Sequence, residues 1–311
     1  MAAQLPSPPP EKSPFKAAFV ALLGRPSSGK STLINRLCGE KVSIVAASPQ
    51  TTRNAIRGIL NRPEGQLIFV DTPGYHRSEK RFNRRLKEVT ENSLEGIDLA
   101  VYVLDSTRPP GEEEQDLAGF LAAHPLPLLG AVNKIDSPQS RPQETEAFLT
   151  AGALKLRGIF PISAATGEGV EELIAALFAF APPGERMYPQ DLYTDQSPEF
   201  RIREIIREKA LEIAREEIPH ALYVEIADLE LKPPSGGAQR ERLWVRAFLV
   251  AERESQKGIL VGKGGANIRF IRLAAQKELN RLFPYRVDLD LRVKTNPGWR
   301  HNEGLLKREV F

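Results

Sequence analysis

The chain has 311 residues, of which 41% are hydrophobic, and its formal net charge is +3. This length is typical of two domains that each bury a core, and no stretch reaches the roughly 18–20 apolar residues of a membrane span. The four histidines share no ligand spacing, and the lone Cys38 is expected to be buried as a small apolar side chain. Residues 1–14 contain five prolines and no apolar run, which predicts a disordered tail rather than a signal peptide.

The first predicted elements flank a glycine-rich loop. The apolar run 17–23 predicts a buried strand, and residues 31–38 carry leucine and isoleucine at helical spacing. The sequence between them, GRPSSGKS, matches GxxxxGK(S/T), in which backbone N–H groups and a helix N-terminus bind phosphate. Lys30 is expected to reach the β- and γ-phosphates, and the Ser31 hydroxyl to hold Mg²⁺. The residues predicted to line the triphosphate are Gly24, Arg25, Pro26, Ser27, Ser28, Gly29, Lys30, Ser31 and Thr32.

A polar segment, 48–53, precedes an alternating strand predicted over 54–60. In GTPases a threonine in such a segment binds Mg²⁺ while the γ-phosphate is present and lets go after hydrolysis. We assign this role to Thr52 rather than Thr51. The alternative is that these are ordinary hydroxyls on a loop.

The next predicted strand, 67–70, ends in the sequence DTPG. Asp71 is placed to reach Mg²⁺ through water, and the Gly74 N–H to meet the γ-phosphate; Thr72 and Pro73 complete this part of the nucleotide site. Tyr75 follows where a glutamine would orient the attacking water. We therefore assign no catalytic side chain beyond phosphate stabilisation by Lys30, and expect slow intrinsic hydrolysis.

The base is indicated by Asn133-Lys134-Ile135-Asp136, at the end of the apolar run 126–132. Ligands of open α/β sheets collect at the carboxyl ends of strands. Asp136 can accept hydrogen bonds from the ring N–H and the amino group of guanine, whereas adenine would leave it unpaired at a cost of about 1–3 kcal/mol. Asn133 is expected to tie this loop to the phosphate loop, and the Lys134 stem to cover the base.

A last small loop, Ser163-Ala164-Ala165, follows the predicted strand 159–162. Its small side chains leave a backbone N–H available to the guanine carbonyl oxygen. With the three preceding motifs, it predicts a GTP site at one sheet edge.

In order and spacing, GRPSSGKST, SPQTTR, DTPG, NKID and SAATGEG resemble the motifs of the Era GTPases, a family in the translation-factor-related class. The resemblance continues through residues 252–265, which look like the family's C-terminal RNA-binding KH domain. It implies a bacterial ribosome-assembly factor that binds the 3′ end of small-subunit ribosomal RNA, with hydrolysis accelerated by RNA or the ribosome. The chain departs at Ser27-Ser28, where the family usually has Asn-Val. That asparagine helps hold potassium in related GTPases, so potassium stimulation stays open.

The second half predicts a KH domain from its own residues. The GxxG loop Gly262-Lys263-Gly264-Gly265 lacks Cβ atoms where a sugar–phosphate backbone would approach. The predicted elements, a helix over 198–217, strands over 221–231 and 243–253, apolar residues 259–261, a helix over 266–282 and a strand over 285–294, give the type II order α-β-β-α-α-β. The predicted RNA-binding residues are Gly262, Lys263, Gly264, Gly265, Arg269 and Arg272. The alternative is a plain helix connection, with Arg269, Arg272, Arg286 and Arg292 binding RNA diffusely.

Charge is distributed unevenly along the chain. Residues 257–311 contain 12 Lys and Arg against 5 Asp and Glu, whereas residues 1–197 contain 21 against 23. A basic surface adds salt-dependent affinity for phosphates. Trp299, near the end of this basic stretch, is expected to pack as a cap on the sheet. The alternative is that it adds to the basic surface, since the Era family carries a similar Trp-Arg pair after its last strand.

The sequence therefore predicts an α/β P-loop GTPase domain with a doubly wound, mostly parallel sheet over 15–182, a linker over 183–197, and an α+β type II KH domain over 198–311. The expected cofactors are GTP and Mg²⁺. The expected partners are small-subunit ribosomal RNA and the small subunit, bound by a cytoplasmic monomer. Two alternatives stay open: an RNA-binding assembly chaperone for which GTP only sets conformation, and a regulatory GTPase in peripheral contact with the membrane.

Overall fold

Two sheets, each backed by helices, organise the chain. The computed structural model describes residues 14–46, 54, 56–72, 96–124, 126–213, 221–234 and 240–306. The first half contains β1 (Lys16–Leu23), α1 (Lys30–Cys38), β2 (Ile56–Arg62), β3 (Gly65–Asp71), β4 (Leu99–Asp105), α2 (Glu112–Ala122), β5 (Leu128–Asn133), α3 (Pro142–Ala151), β6 (Leu156–Ile162) and α4 (Val170–Phe180). The second half contains α5 (Pro198–Ile213), β7 (Leu222–Lys232), β8 (Arg242–Ala251), α6 (Glu254–Val261), α7 (Ala266–Leu282) and β9 (Arg286–Thr295). Of the helices described, none has the length and apolar character needed to cross a membrane.

The first sheet has the strand order β2-β3-β1-β4-β5-β6, with β2 antiparallel and the other neighbours parallel. Helices α1 and α4 pack on one face, and α2 and α3 on the other. Every residue of β3, β4 and β5 is buried, because strands covered on both faces have no solvent side. The predicted doubly wound, mostly parallel sheet is therefore confirmed.

The strand order brings the predicted motifs together. Strands β1, β3, β5 and β6 are parallel to one another and end at Leu23, Asp71, Asn133 and Ile162. The loops that follow them meet at one edge of the sheet, where ligands of such folds bind.

The second sheet has the order β7-β8-β9, with β7 antiparallel and β9 parallel to β8. The helices α5, α6 and α7 cover one of its faces. The predicted element order is confirmed, but the strand predicted to end at Arg253 ends at Ala251. Arg253 is instead the N-cap of α6, and its N–H donates to the Gln256 side chain at 2.9 Å. Of the helix predicted over 198–217, residues 214–217 lie outside the described part.

Trp299 packs on the other face of the second sheet, at one end. It is 1% exposed, and its ring centroid lies 4.9 Å from that of Tyr223. Its Nε1 donates to the Ala221 carbonyl at 3.3 Å. This is the packing role expected for it.

Cys38 ends α1 and is partly buried against the first core. A Cβ on Gly58 of the neighbouring strand would lie 2.6 Å from its Sγ, so the two residues are closely packed. Burial raises the pKa of the Cys38 thiol to about 12. The thiol is therefore protonated at neutral pH, in keeping with the apolar role predicted for it.

The segment between the two halves, residues 183–197, is fixed along the first sheet, and we call it the strap. The buried Gln66 holds it: Oε1 accepts from the N–H groups of Met187 and Tyr188 at 2.9 Å each, and Nε2 donates to the Tyr188 carbonyl at 2.9 Å. The Tyr193 carbonyl accepts from the backbone of β2. Periodicity predicted only an irregular linker here, because these contacts come from residues distant in sequence.

The two halves also meet in a cluster of charged residues. Lys41, just after α1, pairs with Glu208 of α5 and with Glu278 of α7. Lys209 lies 2.9 Å from Glu278, and the Val45 N–H donates to Glu208 at 2.8 Å. The segment that leaves the phosphate-loop helix is thereby anchored to the second half.

We expect Gln66→Ala to loosen the strap. The change leaves two backbone N–H groups and one carbonyl of the strap without their buried partner, which costs about 1–3 kcal/mol. Thermal unfolding should shift down, and trypsin should cut faster at the exposed Arg186 within the strap. Gln115→Ala, on the exposed side of α2, is the matched control. Equal melting and cleavage in both variants would contradict the role given to Gln66.

Candidate nucleotide and nucleic-acid sites

The phosphate loop lies between β1 and α1 and is shaped by left-handed backbone at Ser27 (φ 61°) and Gly29 (φ 98°). The Lys30 ammonium crosses the loop and donates to the carbonyls of Gly24 and Arg25, at 2.9 Å each. No acidic residue lies in the first turn of α1. The N–H groups at this helix start therefore present the positive end of the helix dipole to a phosphate.

Asn133 connects three of the predicted loops. It is 1% exposed; its Nδ2 donates to the Ser28 carbonyl at 2.9 Å, and its Oδ1 accepts from the Ala164 N–H at 2.9 Å. A Cβ on Gly29 would lie 2.2 Å from Nδ2, so only glycine permits this approach. The phosphate loop, the NKID loop and the Ser163–Ala165 loop are thus held in fixed register.

Asp136 is held from the neighbouring loop. The Ser163 hydroxyl donates to its Oδ1 at 2.6 Å and accepts from the Thr166 N–H at 3.0 Å. Lys134 has a left-handed backbone (φ 70°) within the same loop. The hydrogen bond from Ser163 thus fixes one carboxylate oxygen of Asp136 and orients the side chain.

Two of the predicted magnesium ligands lie together. The Ser31 hydroxyl donates to Oδ2 of the fully buried Asp71 at 2.8 Å. A hydroxyl and a carboxylate are hard oxygen ligands that fit Mg²⁺. The Ser43 hydroxyl also donates to this oxygen, at 2.8 Å, and was not predicted from the sequence because it belongs to no motif.

Asn35 explains how Ser43 is held. Its Oδ1 accepts from the N–H groups of Val42 and Ser43 at 2.8 Å, and its Nδ2 donates to the Ser43 carbonyl at 2.7 Å. On the other side of Asp71, the Thr72 hydroxyl donates to the Leu22 carbonyl at 2.8 Å. Thr72 thus joins β3 to β1, rather than directing its hydroxyl toward a nucleotide.

A buried ion-pair network underlies the site. The Arg25 side chain, predicted to line the triphosphate, is 5% exposed and pairs instead with Asp105 at 2.9 Å and with Glu114. Lys134 Nζ reaches the same Asp105 oxygen at 2.8 Å. Burial opposes ionisation of Asp105, but hydrogen bonds from Lys134 and Thr107 outweigh it and lower the pKa of the carboxyl. Asp105 therefore bridges the phosphate loop and the NKID loop.

Five residues of interest lie outside the described part of the chain. They are Thr51, Thr52, Pro73, Gly74 and Tyr75. The nucleotide roles predicted for Thr52, Pro73 and Gly74 stay predictions.

The GxxG loop joins α6 to α7. Gly262, Gly264 and Gly265 have φ values of 73°, 59° and 79°, and a Cβ on Gly262 would lie 2.7 Å from the Asn267 side chain. Lys263 is exposed at the tip. The N-cap of α7 is a glycine without a side-chain cap, and its first turn has no acidic residue. The exposed Lys263 and the N-terminus of α7 thus place positive charge at this loop.

The two predicted arginines differ in placement. Arg269 is exposed on α7, one turn beyond the GxxG loop. Arg272 is half-buried, and its guanidinium lies 3.4 Å from the Gln276 side chain. The structure thus brings Lys263 and Arg269 to one end of the helix.

Family models and relatives agree with this geometry. The chain matches a model described as a 50S ribosome-binding GTPase over residues 19–134, and one described as a KH domain over residues 217–300. GTPase Era of Treponema denticola is 46% identical over 296 residues, which cover 94% of this chain and 99% of that protein. The chain belongs to the Era family of GTPases. GTPase Era of Borreliella burgdorferi is 41% identical, over 95% of this chain and 100% of that protein.

Solved Era structures share the whole architecture. A crystal structure of Era in complex with MgGDPNP and nucleotides 1506–1542 of 16S ribosomal RNA has a TM-score of 0.87 at 32% identity, and covers 94% of this chain and 98% of that one. A structure of an Aquifex aeolicus Era variant bound to GDP and AlF4⁻ gives the same values. This Era-family chain is therefore a GTP-hydrolysing enzyme with a C-terminal KH domain.

We expect Asp105→Asn to destabilise the protein by about 3 kcal/mol, because it removes the shared partner of Arg25 and Lys134 from a buried network. Since the carboxyl has a lowered pKa in the folded state, its contribution is present above the unfolded-state value of about 3.9 and is lost as pH falls through the folded value. Urea unfolding at several pH values measures this. Asp191→Asn, at an exposed position, is the control. A loss for Asp105→Asn that does not shrink in acid would contradict the assignment.

Proposed function

We propose that this GTPase binds GTP with Mg²⁺ at the edge of the first sheet, and holds small-subunit ribosomal RNA near its 3′ end through the KH half, during assembly of the small subunit. The observation that carries the proposal is the presence of both sites on one chain. The Asn133-linked loops lie in the first half, and the exposed GxxG loop lies in the second. The Era structure with MgGDPNP and a 16S fragment, alike over 94% of this chain, supports both assignments.

In the nucleotide site, Lys30 and the N–H groups of the phosphate loop stabilise the triphosphate. Asp136 binds the guanine edge, the Lys134 stem lies on the base, and the small loop of Ser163, Ala164 and Ala165 meets its carbonyl. Ser31, Asp71 and Thr52 hold Mg²⁺, directly or through water. When bound, that ion neutralises charge on the phosphate oxygens.

Hydrolysis without RNA is slow, because Tyr75 supplies no amide to orient the attacking water. RNA bound to the KH half accelerates it by ordering the segments around the nucleotide. Ser27, with its short hydroxyl, makes the reaction less dependent on potassium than it is in asparagine-bearing relatives. The domains that carry these steps are residues 15–182 and 198–311, joined by the strap and preceded by the tail 1–14.

The RNA strand lies across the GxxG loop. Its backbone approaches Gly264 and Lys263, where a Cβ on Gly264 would meet no atom within 4 Å. Beside the loop, α6 exposes Ser255, Gly258 and Ile259, spaced as one helical face. Small side chains on this face leave room for bases, while Ile259 supplies an apolar contact.

We expect Asp136→Asn to shift nucleotide preference from guanine toward xanthine. The amide presents a donor where the xanthine carbonyl replaces the guanine amino group. Competition of GTP, XTP and ATP for a fluorescent guanine nucleotide measures the preference. Asp191→Asn, at an exposed position of the strap, should leave it unchanged. Wild-type protein that binds ATP as tightly as GTP would refute the assignment of this loop.

The RNA role is tested by replacing Lys263 and Gly264 together with Asp. Two carboxylates would face the phosphates without touching the core, and we expect RNA binding to weaken by about 2 kcal/mol or more. Titration with a single strand from the 3′ end of small-subunit ribosomal RNA, at two salt concentrations, measures this. Lys232→Asp, on β7, is the control. If the double variant binds like wild type while loss of Arg269, Arg272, Arg286 and Arg292 abolishes binding, the loop is only a connection.

GTP turnover with and without this RNA separates the enzyme from its closest alternative. A coupled GTPase turns over faster when RNA is added, and the double variant loses that increase. An assembly chaperone for which GTP only sets conformation would bind RNA in a nucleotide-dependent way, with an unchanged rate of hydrolysis.

A further inference from the structure

Basic side chains of the second half fall into two groups. On the face of the second sheet opposite the helices, Arg242, Arg246, Arg292 and Lys294 each lie within 4 Å of a carboxylate. In contrast, Lys263, Arg269, Lys277 and Arg281 form no ion pair with any residue that the structure describes, and all four are exposed. The uncompensated charge is therefore concentrated along the GxxG loop and α7.

Two large apolar side chains lie among these four exposed basic side chains. Phe270 is 51% exposed and Leu273 is 48% exposed, one helical turn apart on α7. They lie on the side of the helix opposite the fully buried Ile271, Ala275 and Leu279. No structural need of the described core explains an aromatic ring at this position, because the ring is turned away from the sheet.

The order along α7 is continuous with the GxxG loop. Ala266, Phe270, Leu273 and Lys277 follow one another at helical spacing on the outer face, which we call the outer ridge. At 1.5 Å per residue the ridge extends about 16 Å from the loop. Arg269 lies beside it near its start, and Arg281 lies one turn beyond its end.

A surface that combines unpaired basic side chains with exposed apolar side chains fits a ligand that has spaced negative charges and flat apolar faces. Single-stranded nucleic acid has both, whereas a duplex hides the faces of its bases. We propose that the outer ridge is a base-stacking surface for the RNA strand that leaves the GxxG loop. One unpaired base stacks on Phe270 against Leu273, and Arg269 and Lys277 neutralise the adjoining phosphates.

This inference rests on the RNA binding proposed above and extends its footprint to the outer face of α7. It assigns to Phe270 a contact that the GxxG loop does not provide. A base has a π-face whatever its identity, so the ridge adds affinity for a longer strand and little sequence preference.

The test compares Phe270→Ala with Phe180→Ala, which removes a ring that is 40% exposed on α4 of the first half. The probes are two single strands from the 3′ end of small-subunit ribosomal RNA, one covering the GxxG loop alone and one longer by about six nucleotides. We expect Phe270→Ala to weaken binding of the longer strand about tenfold and to leave the shorter strand unchanged. Phe180→Ala should bind both like wild type. Phe270→Trp, which keeps an aromatic face, should restore the affinity.

Salt dependence separates stacking from charge. Phe270→Ala should leave the slope of log K against log salt unchanged, whereas Lys277→Ala should reduce its magnitude by about 0.7, the value for one phosphate contact on a single strand. Since Phe270 is half-exposed, its replacement should not alter the thermal midpoint. The same variants are assayed on vesicles of anionic phosphatidylglycerol, which test a lipid surface as the ligand.

Each outcome has a defined meaning. If Phe270→Ala binds both strands like wild type while the Lys263 and Gly264 double variant loses binding, the base-stacking role of the outer ridge is refuted. The role of the GxxG loop in RNA binding then stands. If wild-type protein binds neither strand, the proposed function itself fails. If Phe270→Ala loses vesicle binding and keeps RNA binding, the ridge contacts lipid, and the proposal is overturned.

Discussion

The nucleotide site depends on one buried amide. Asn133 donates to the Ser28 carbonyl and accepts from the Ala164 N–H, so its two polar atoms join loops that follow three different strands. The junction requires Gly29, because a Cβ there would lie 2.2 Å from the Asn133 nitrogen. A buried amide that lost either partner would cost about 1–3 kcal/mol. The phosphate loop, the NKID loop and the Ser163–Ala165 loop are therefore stable only in a common geometry.

Sequence patterns correctly predicted that these motifs lie at one edge of the sheet, because each motif directly follows a strand and its placement needs only local information. They did not predict Asp105 and Ser43, which complete the site. Arg25 and Asp105 are 80 residues apart, and no period or motif connects them. The contacts that hold the strap were not predicted for the same reason: Gln66 binds it from a distant strand. Long-range polar pairs carry no signature in one sequence, whereas loops at strand ends do.

The contact between the two halves involves the segment that follows α1. Residues 39–46 connect α1, which begins in the phosphate loop, to the polar segment 48–53. Within it, Ser43 bonds Asp71 in the first half, and Val45 bonds Glu208 in the second. A movement of this segment must either break the contact with α5 or carry α5 along. The first half and the KH half are therefore joined at this segment by hydrogen bonds and ion pairs.

The pairing of basic side chains with carboxylates determines which face of the second half attracts a polyanion. The sequence shows that residues 257–311 contain more Lys and Arg than Asp and Glu, but not which face of the second half carries this excess positive charge. On the sheet face, carboxylates lie close to Arg242, Arg246 and Arg292, and their opposite charges cancel within the screening distance of about 8 Å. Along α7 nothing in the described chain cancels Lys263 or Arg269, so their fields add and extend into solvent. The excess positive charge therefore lies on the helical side, where the GxxG loop and the exposed Phe270 lie, and not on the sheet face.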